Sequence, residues 1–75
     1  MKRIDAIGHR CPTPTLRLQR ALRDVNEGES VELLADDPMA RIDVPHFVRT
    51  GGHELIEIRD QSGVIAFTVR KGRQA

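Results

Sequence analysis

Two stretches of this chain each carry a single apolar stripe at helical spacing, and this narrows the possible folds most. Leu18, Ala21, Leu22 and Val25 recur at i, i+3, i+4 and i+7; Ala40, Val44, Phe47 and Val48 follow the same period. A helix with one stripe buries it against one neighbour. The chain has 75 residues, too few for a third layer, so both helices are expected on the same face of one sheet.

The remaining segments supply that sheet. Residues 3–7 alternate apolar and polar and read as a short strand closed by Gly8. Ser30 to Ala35 is a second, with Val31 and Leu33 on one face. Residues 54–58 and 64–69 are two more, joined by the turn Asp60-Gln61-Ser62-Gly63 as an antiparallel hairpin. The first helix starts around Pro14 and is expected to end at Gly28. For the second, Asp37 reads as N-cap and Pro38 as first helical residue, giving one turn that Asp43 recaps ahead of Val44-Pro45. Gly51-Gly52 terminates it. The expected fold is an α/β two-layer sandwich, βαβαββ, with a four-stranded mixed sheet and two helices on one face. Residues 1–75 read as a single domain, frayed only from Lys71 to Ala75.

Composition removes whole classes of function. There are two Phe, no Trp and no Tyr, so the core must come mainly from Leu, Ile and Val, and base-stacking platforms are nearly excluded. Twelve Lys+Arg against 11 Asp+Glu leave a net charge of +1, which argues against bulk electrostatic capture of nucleic acid. One cysteine cannot staple the fold to itself. The start, Met1-Lys2-Arg3-Ile4-Asp5, does not read as a signal peptide, and neither a membrane span nor a lipidation signal is found. A cytoplasmic protein, monomeric on its own and without membrane association, is expected.

Chemistry concentrates at Cys11. It stands just ahead of the first helix, where unpaired N–H groups and the macrodipole favour an anion. Its thiol pKa is expected to fall below that of a free cysteine, helped by Arg10 and by His9 when protonated. Pro12 removes a competing donor and fixes the local backbone. A lone cysteine is more often a small buried hydrophobe. Here, however, His9 and Arg10 precede it, prolines flank Thr13, and the buried stripe begins only at Pro14. The reactive reading prevails.

A reactive cysteine without a second one cannot run disulfide exchange. Hydrolysis would need a histidine base beside a pocket; His9, His46 and His53 are available, but a chain this short offers little pocket. No CxxC or HxxxH spacing supports a metal site, and no cofactor is expected. What remains is a carrier that takes a group from one protein and hands it to another. Arg17, Arg20 and Arg23 lie off the buried stripe with Leu16 among them, a basic face suited to an acidic partner. A merely solvated face is the plainer reading of any one of these arginines.

At Gly8-His9-Arg10-Cys11-Pro12-Thr13-Pro14, with Asp36-Asp37-Pro38, Asp43-Val44-Pro45 and Gly52-His53-Glu54-Leu55, the sequence resembles the TusA/SirA-like family of small sulfur carriers. The likeness runs from Ile4 to Gly72, and CPxP at the head of the first helix is the family's signature. The resemblance implies a sandwich similar to the C-terminal domain of translation initiation factor three, with Cys11 carrying sulfane sulfur as a persulfide. It implies loading by a cysteine desulfurase or a rhodanese-like donor and delivery to a relay protein or acceptor enzyme. The family's destinations are tRNA thiolation, molybdenum cofactor synthesis and sulfur oxidation. Thr13 replaces the Glu common among tRNA-thiolation members, and His9 stands where Leu is common, so the carrier role transfers but the tRNA pathway does not.

Other motif residues have structural readings. Asp36, Asp37 and Asp43 suit turns and caps. His53 follows the helix exit, its ring near a helix end or another strand. Arg70, Lys71 and Arg73 form a basic C-terminal end that chiefly solubilises the last strand. Two alternatives compete with the carrier: a small RNA-binding or regulatory module using the basic first helix, which would bind RNA with salt sensitivity and without Cys11, and a metal- or redox-responsive regulator.

Overall fold

A computed structural model describes residues 2–10 and 13–72. The order is β1 (Lys2–Asp5), α1 (Thr13–Arg23), β2 (Ser30–Ala35), α2 (Ala40–Thr50), β3 (Glu54–Gln61) and β4 (Val64–Arg70). The four strands form one mixed sheet in the order β1-β2-β4-β3. β1 runs parallel to β2, while β4 is antiparallel to both β2 and β3.

Register explains the core. Val31 lies opposite Val69, Leu33 opposite Phe67 and Ala35 opposite Ile65. All six are buried on the face that the helices cover. Leu18 and Leu22 of α1 and Ala40, Val44 and Val48 of α2 close over them. The core is aliphatic as expected, with Phe67 at its centre.

Several boundaries differ from the expectation. β1 ends at Asp5 because the Asp5 carboxylate accepts the Ile7 N–H (3.0 Å) and turns the chain. α1 ends at Arg23; Val25 packs on the core from the following loop. Gly28 is therefore no helix terminator. It sits at φ +88° in a turn where Glu29 N donates to Asn26 O (3.0 Å).

α2 is one uninterrupted helix. Asp43 does not recap it, but lies in its first turn facing the positive end of the dipole. Pro45 inside the helix forfeits only the bond to Arg41 O, and the buried stripe of Ala40, Val44 and Val48 holds both halves together. Met39 occupies the cap position without a side-chain cap bond. Asp37 instead closes the turn before the helix, its Oδ1 accepting from Met39 N (3.1 Å) and its carbonyl from Ala40 N (2.9 Å).

β3 runs to Gln61, with a bulge between Leu55 and Glu57. The hairpin turn is then Ser62-Gly63, both at positive φ, the handedness that suits a two-residue loop. Lys71 and Gly72 are tied down rather than frayed: Lys71 N donates to Glu29 O (2.8 Å) and Gly28 N to Lys71 O (2.9 Å).

Candidate functional site

Because β1 and β2 are parallel, each helix must return antiparallel to them. The C-terminal ends of both strands and the N-terminal ends of both helices therefore meet at one end of the sheet. Two loops shape that end, residues 6–10 and 36–39 among the described residues. Cys11 and Pro12, the expected centre of the site, lie outside the described residues; their neighbours are described on both sides.

Approaching from β1, Ala6 makes the last rung of the sheet, its N–H donating to Leu34 O (2.8 Å), and is fully buried. Gly8 then turns the chain at φ +88°, a conformation that favours glycine. Its N–H donates to Asp36 Oδ1 (2.9 Å). His9 N donates to Ala6 O (3.2 Å), and Thr13 N to Arg10 O (2.9 Å). On the far side Pro14 is buried and opens the packed stripe of α1. Between the two loops lies an open cleft of about 290 Å³ lined by Gly8, His9, Arg10, Asp36, Asp37 and Pro38. Arg10 is exposed and His9 half-buried.

The partner-face residues separate into two groups. Leu16 is 56% exposed on the outer side of α1, and Arg20 and Arg23 are exposed with it. Neither arginine makes an ion pair among the described residues. Arg17 stands on the flank toward β1, where its guanidinium donates to Asp5 O (3.0 Å). The helix thus presents Leu16, Arg20 and Arg23 outward together, while Arg17 is partly committed to the strand.

Three further apolar side chains crowd the same end and escaped the sequence reading. Ile7 is 41% exposed, Met39 50% and Ile42 64%. Ile42 had left a signal: it falls on the opposite side of α2 from the Val44 and Val48 stripe. Ile7 and Met39 had left none, since a loop residue has no period to violate.

The histidines do not gather. His46 is exposed on α2, and its carbonyl accepts from Thr50 Oγ1 (2.7 Å). His53 is at the opposite end of the molecule, where its Nδ1 accepts the Gly72 N–H (3.1 Å) and its ring lies 6.0 Å from that of Phe47. Burial, and then the charge of Lys71, hold its pKa below the ordinary 6.5. Among the described residues no group of three or more His, Cys, Asp or Glu side chains could hold a metal ion, and no helix is long and apolar enough to cross a membrane. The basic C-terminal end is largely engaged. Arg70 pairs with Glu54, Lys71 Nζ donates to Val25 O (2.8 Å), and Arg73 lies outside the described residues.

Comparison with known proteins agrees with this arrangement. The family model described as Sulfurtransferase TusA matches residues 2–71. A protein of Archaeoglobus fulgidus is 42% identical over 71 residues, covering 93% of this chain and 92% of its own length. Sulfur carrier protein TusA of Pseudomonas aeruginosa is 37% identical over 68 residues, covering 91% of this chain and 86% of the other. The crystal structure of a SirA-like protein from Desulfitobacterium hafniense superposes with a TM-score of 0.85 at 32% identity, covering 97% of this chain and all of that one. With the family model spanning nearly every residue and the fold shared throughout, this chain belongs to the TusA family of sulfur carriers.

Proposed function

We propose that Cys11 carries the sulfur. Its thiolate attacks the outer sulfur of a donor protein's cysteine persulfide, forming a new S–S bond. The donor's own S–S bond breaks, and its electron pair stays on the donor thiolate. Delivery repeats the same exchange toward an acceptor thiol, so neither step needs an oxidant or a metal. The observation that supports this most directly is the setting of the residues around Cys11. The loop on one side and the first turns of two helices on the other form an open end fringed by exposed Ile7, Leu16, Met39 and Ile42. A carrier needs access for two successive partners rather than an enclosing pocket, and an exposed apolar fringe beside Arg20 and Arg23, which make no ion pair among the described residues, suits transient protein contact.

In this reading residues 1–75 work as one TusA/SirA-like domain in the cytosol, a monomer between encounters. The donor is a cysteine desulfurase or a rhodanese-like protein, and the acceptor a relay protein or an enzyme of tRNA thiolation, molybdenum cofactor synthesis or sulfur oxidation. Arg10, Pro12 and Pro14 support the thiol; Leu16, Arg17, Arg20 and Arg23 meet the partner.

Intact-protein mass spectrometry tests the reading after incubation with a desulfurase plus cysteine and, separately, a rhodanese plus thiosulfate. Gain of one sulfur atom, removed by reductant and lost in Cys11→Ser, is expected. No gain from either donor, with Cys11 open to alkylation, would overturn it and favour the RNA-binding alternative.

A further inference from the structure

β3 is the last strand of the sheet, and hydrogen-bond alternation fixes which of its groups point away from it. Lys71 N donates to Glu29 O and Lys71 O accepts from Gly28 N, so Lys71 turns its peptide groups toward β2. Counting back by twos, Val69, Phe67 and Ile65 do the same, while Thr68 and Ala66 turn theirs toward β3. Ala6 N donating to Leu34 O gives the same alternation from the other side of β2. Thr68 and Ala66 lie opposite Glu57 and Arg59. Ile58 and Asp60 therefore present N–H and C=O outward, and nothing among the described residues bonds them.

Edges are commonly protected by being short or by carrying lysine or proline. β1, the opposite edge, has four residues. β3 has eight, with neither lysine nor proline, and leaves Ile56 47% and Ile58 43% exposed. The bulge between Leu55 and Glu57 blunts only its start; Glu57 to Gln61 pair regularly with β4.

The charges along this edge select its occupant. When two copies pair antiparallel, the two-fold axis passes through one residue of the strand. An axis at Glu57, Arg59 or Asp60 sets that charge against its own copy, and one at Gln61 pairs no opposite charges. An axis at Ile58 sets Glu57 opposite Arg59 of the second copy, and Arg59 opposite its Glu57. The two Ile58 residues then meet at the centre, each N–H donating to the other's C=O. Glu57 and Arg59 fall in the non-hydrogen-bonded positions, where facing side chains come closest. Arg59 already stands 3.5 Å from Glu32 and 3.9 Å from Glu57, so its guanidinium is held on the face where the second carboxylate arrives. A net charge of +1 adds little general repulsion between copies.

We infer that β3 pairs edge to edge with β3 of a second copy of this chain, antiparallel about Ile58, joining two sheets into one. A contact along a single strand edge is small beside the roughly 1,200–2,000 Å² of a stable interface. The pair is therefore transient: chains are single when dilute and associate when concentrated. Nothing in this pairing requires Cys11, so its failure and failure of the carrier reading are separable.

Sedimentation of the full chain from about 10 µM to about 1 mM tests the pairing, with amide exchange followed residue by residue over the same range. The expected result is a weight-average mass that rises toward the dimer, with exchange at Ile58 and Asp60 slowing in parallel. Glu57→Arg sets like charges opposite each other and should weaken association about ten-fold. Ile58→Pro removes a donor that bonds nothing in the single chain, so association should be lost while the fold is kept. Mixing Glu57→Arg with Arg59→Glu restores opposite charges across the pair and should recover association that each variant lacks by itself. A chain that stays single up to 1 mM would overturn the inference. So would association that Glu57→Arg leaves unchanged, which would put the contact elsewhere. If Ile58→Pro does not fold, Glu57→Arg and the exchange of Ile58 and Asp60 decide the matter. Protection of those two amides only when a different protein is added would assign the edge to a foreign strand and overturn the second-copy pairing equally.

Discussion

At the end of the sheet where α2 leaves for β3, backbone meets backbone. Gly52, at φ +77°, lets His53 N reach Val48 O (2.9 Å) and Gly52 N reach Arg49 O (3.2 Å), which satisfies the last carbonyls of the helix. The chain leaving β4 locks onto this exit: Gly72 N donates to His53 Nδ1, while Lys71 bonds Glu29, Gly28 and Val25. At the other end, where Cys11 belongs, loops lean on carboxylates, and four apolar side chains face solvent. The contrast shows how a small fold divides its labour. Close backbone packing needs no exposed side chain, so this end can be closed by main-chain bonds alone. In the proposed carrier role, the open end, with its exposed apolar side chains, is the one that meets partners.

The sharpest way to break this comparison is at Gly72. A Cβ there would stand 1.8 Å from Gly52 O, a contact that only backbone movement can relieve. Gly72→Ala is expected to cost about 2 kcal/mol in urea unfolding, while sulfur loading of the folded protein is unchanged. Loss of loading in proportion to stability would show that the two ends are coupled.

The second prediction follows from His53. Neutral His53 accepts the Gly72 N–H, and its folded-state pKa lies below 6.5. Between those two values the unfolded chain binds the proton more readily, so this contribution to stability is complete above pH 6.5. It is lost as pH falls through the folded pKa. The unfolding midpoint of the parent chain should therefore decline from pH 7 toward pH 5.5, and that of His53→Gln should decline less. Equal slopes would mean that the sealed end does not carry the pH response.

The smallest thermodynamic effect is expected at the open end. Leu16→Ala and Ile42→Ala, at 56% and 64% exposure, should alter stability by no more than about 0.5 kcal/mol. They should nonetheless slow sulfur transfer from a donor protein, read as the rate of mass gain. Unchanged transfer would mean that the apolar fringe is not a docking surface.

Much of this architecture was legible in the chain. Leu18 and Leu22, and Val44 and Val48, declared the buried sides of two helices because periodicity reports which face lacks polar groups. Val31 and Leu33 did the same for β2, and Gly51-Gly52 marked the exit of α2, where Gly52 takes the positive φ that the exit requires. Cys11 was conspicuous through its neighbours. Where local signals competed, reading from sequence misassigned them. Asp43-Val44-Pro45 carries the signature of a helix start, yet the buried stripe on both sides of Pro45 runs the helix straight through. Gly28 resembled a helix stop and proved to be a turn residue, because α1 had already ended at Arg23.

The order of elements, the single-faced helices, the aliphatic core and the placement of a lone cysteine before a helix were determined by the sequence itself. All of them depend on interactions among residues close in the chain or on a repeating pattern. Tertiary structure alone decided that Asp36 would hold Gly8 across 28 residues. It also decided that Lys71 and Gly72 would be bonded to the far end, and that Ile7, Leu16, Met39 and Ile42 would be left exposed. Those outcomes depend on which loops the parallel pairing of β1 and β2 brings side by side. No local preference encodes a neighbour that exists only after the sheet has formed.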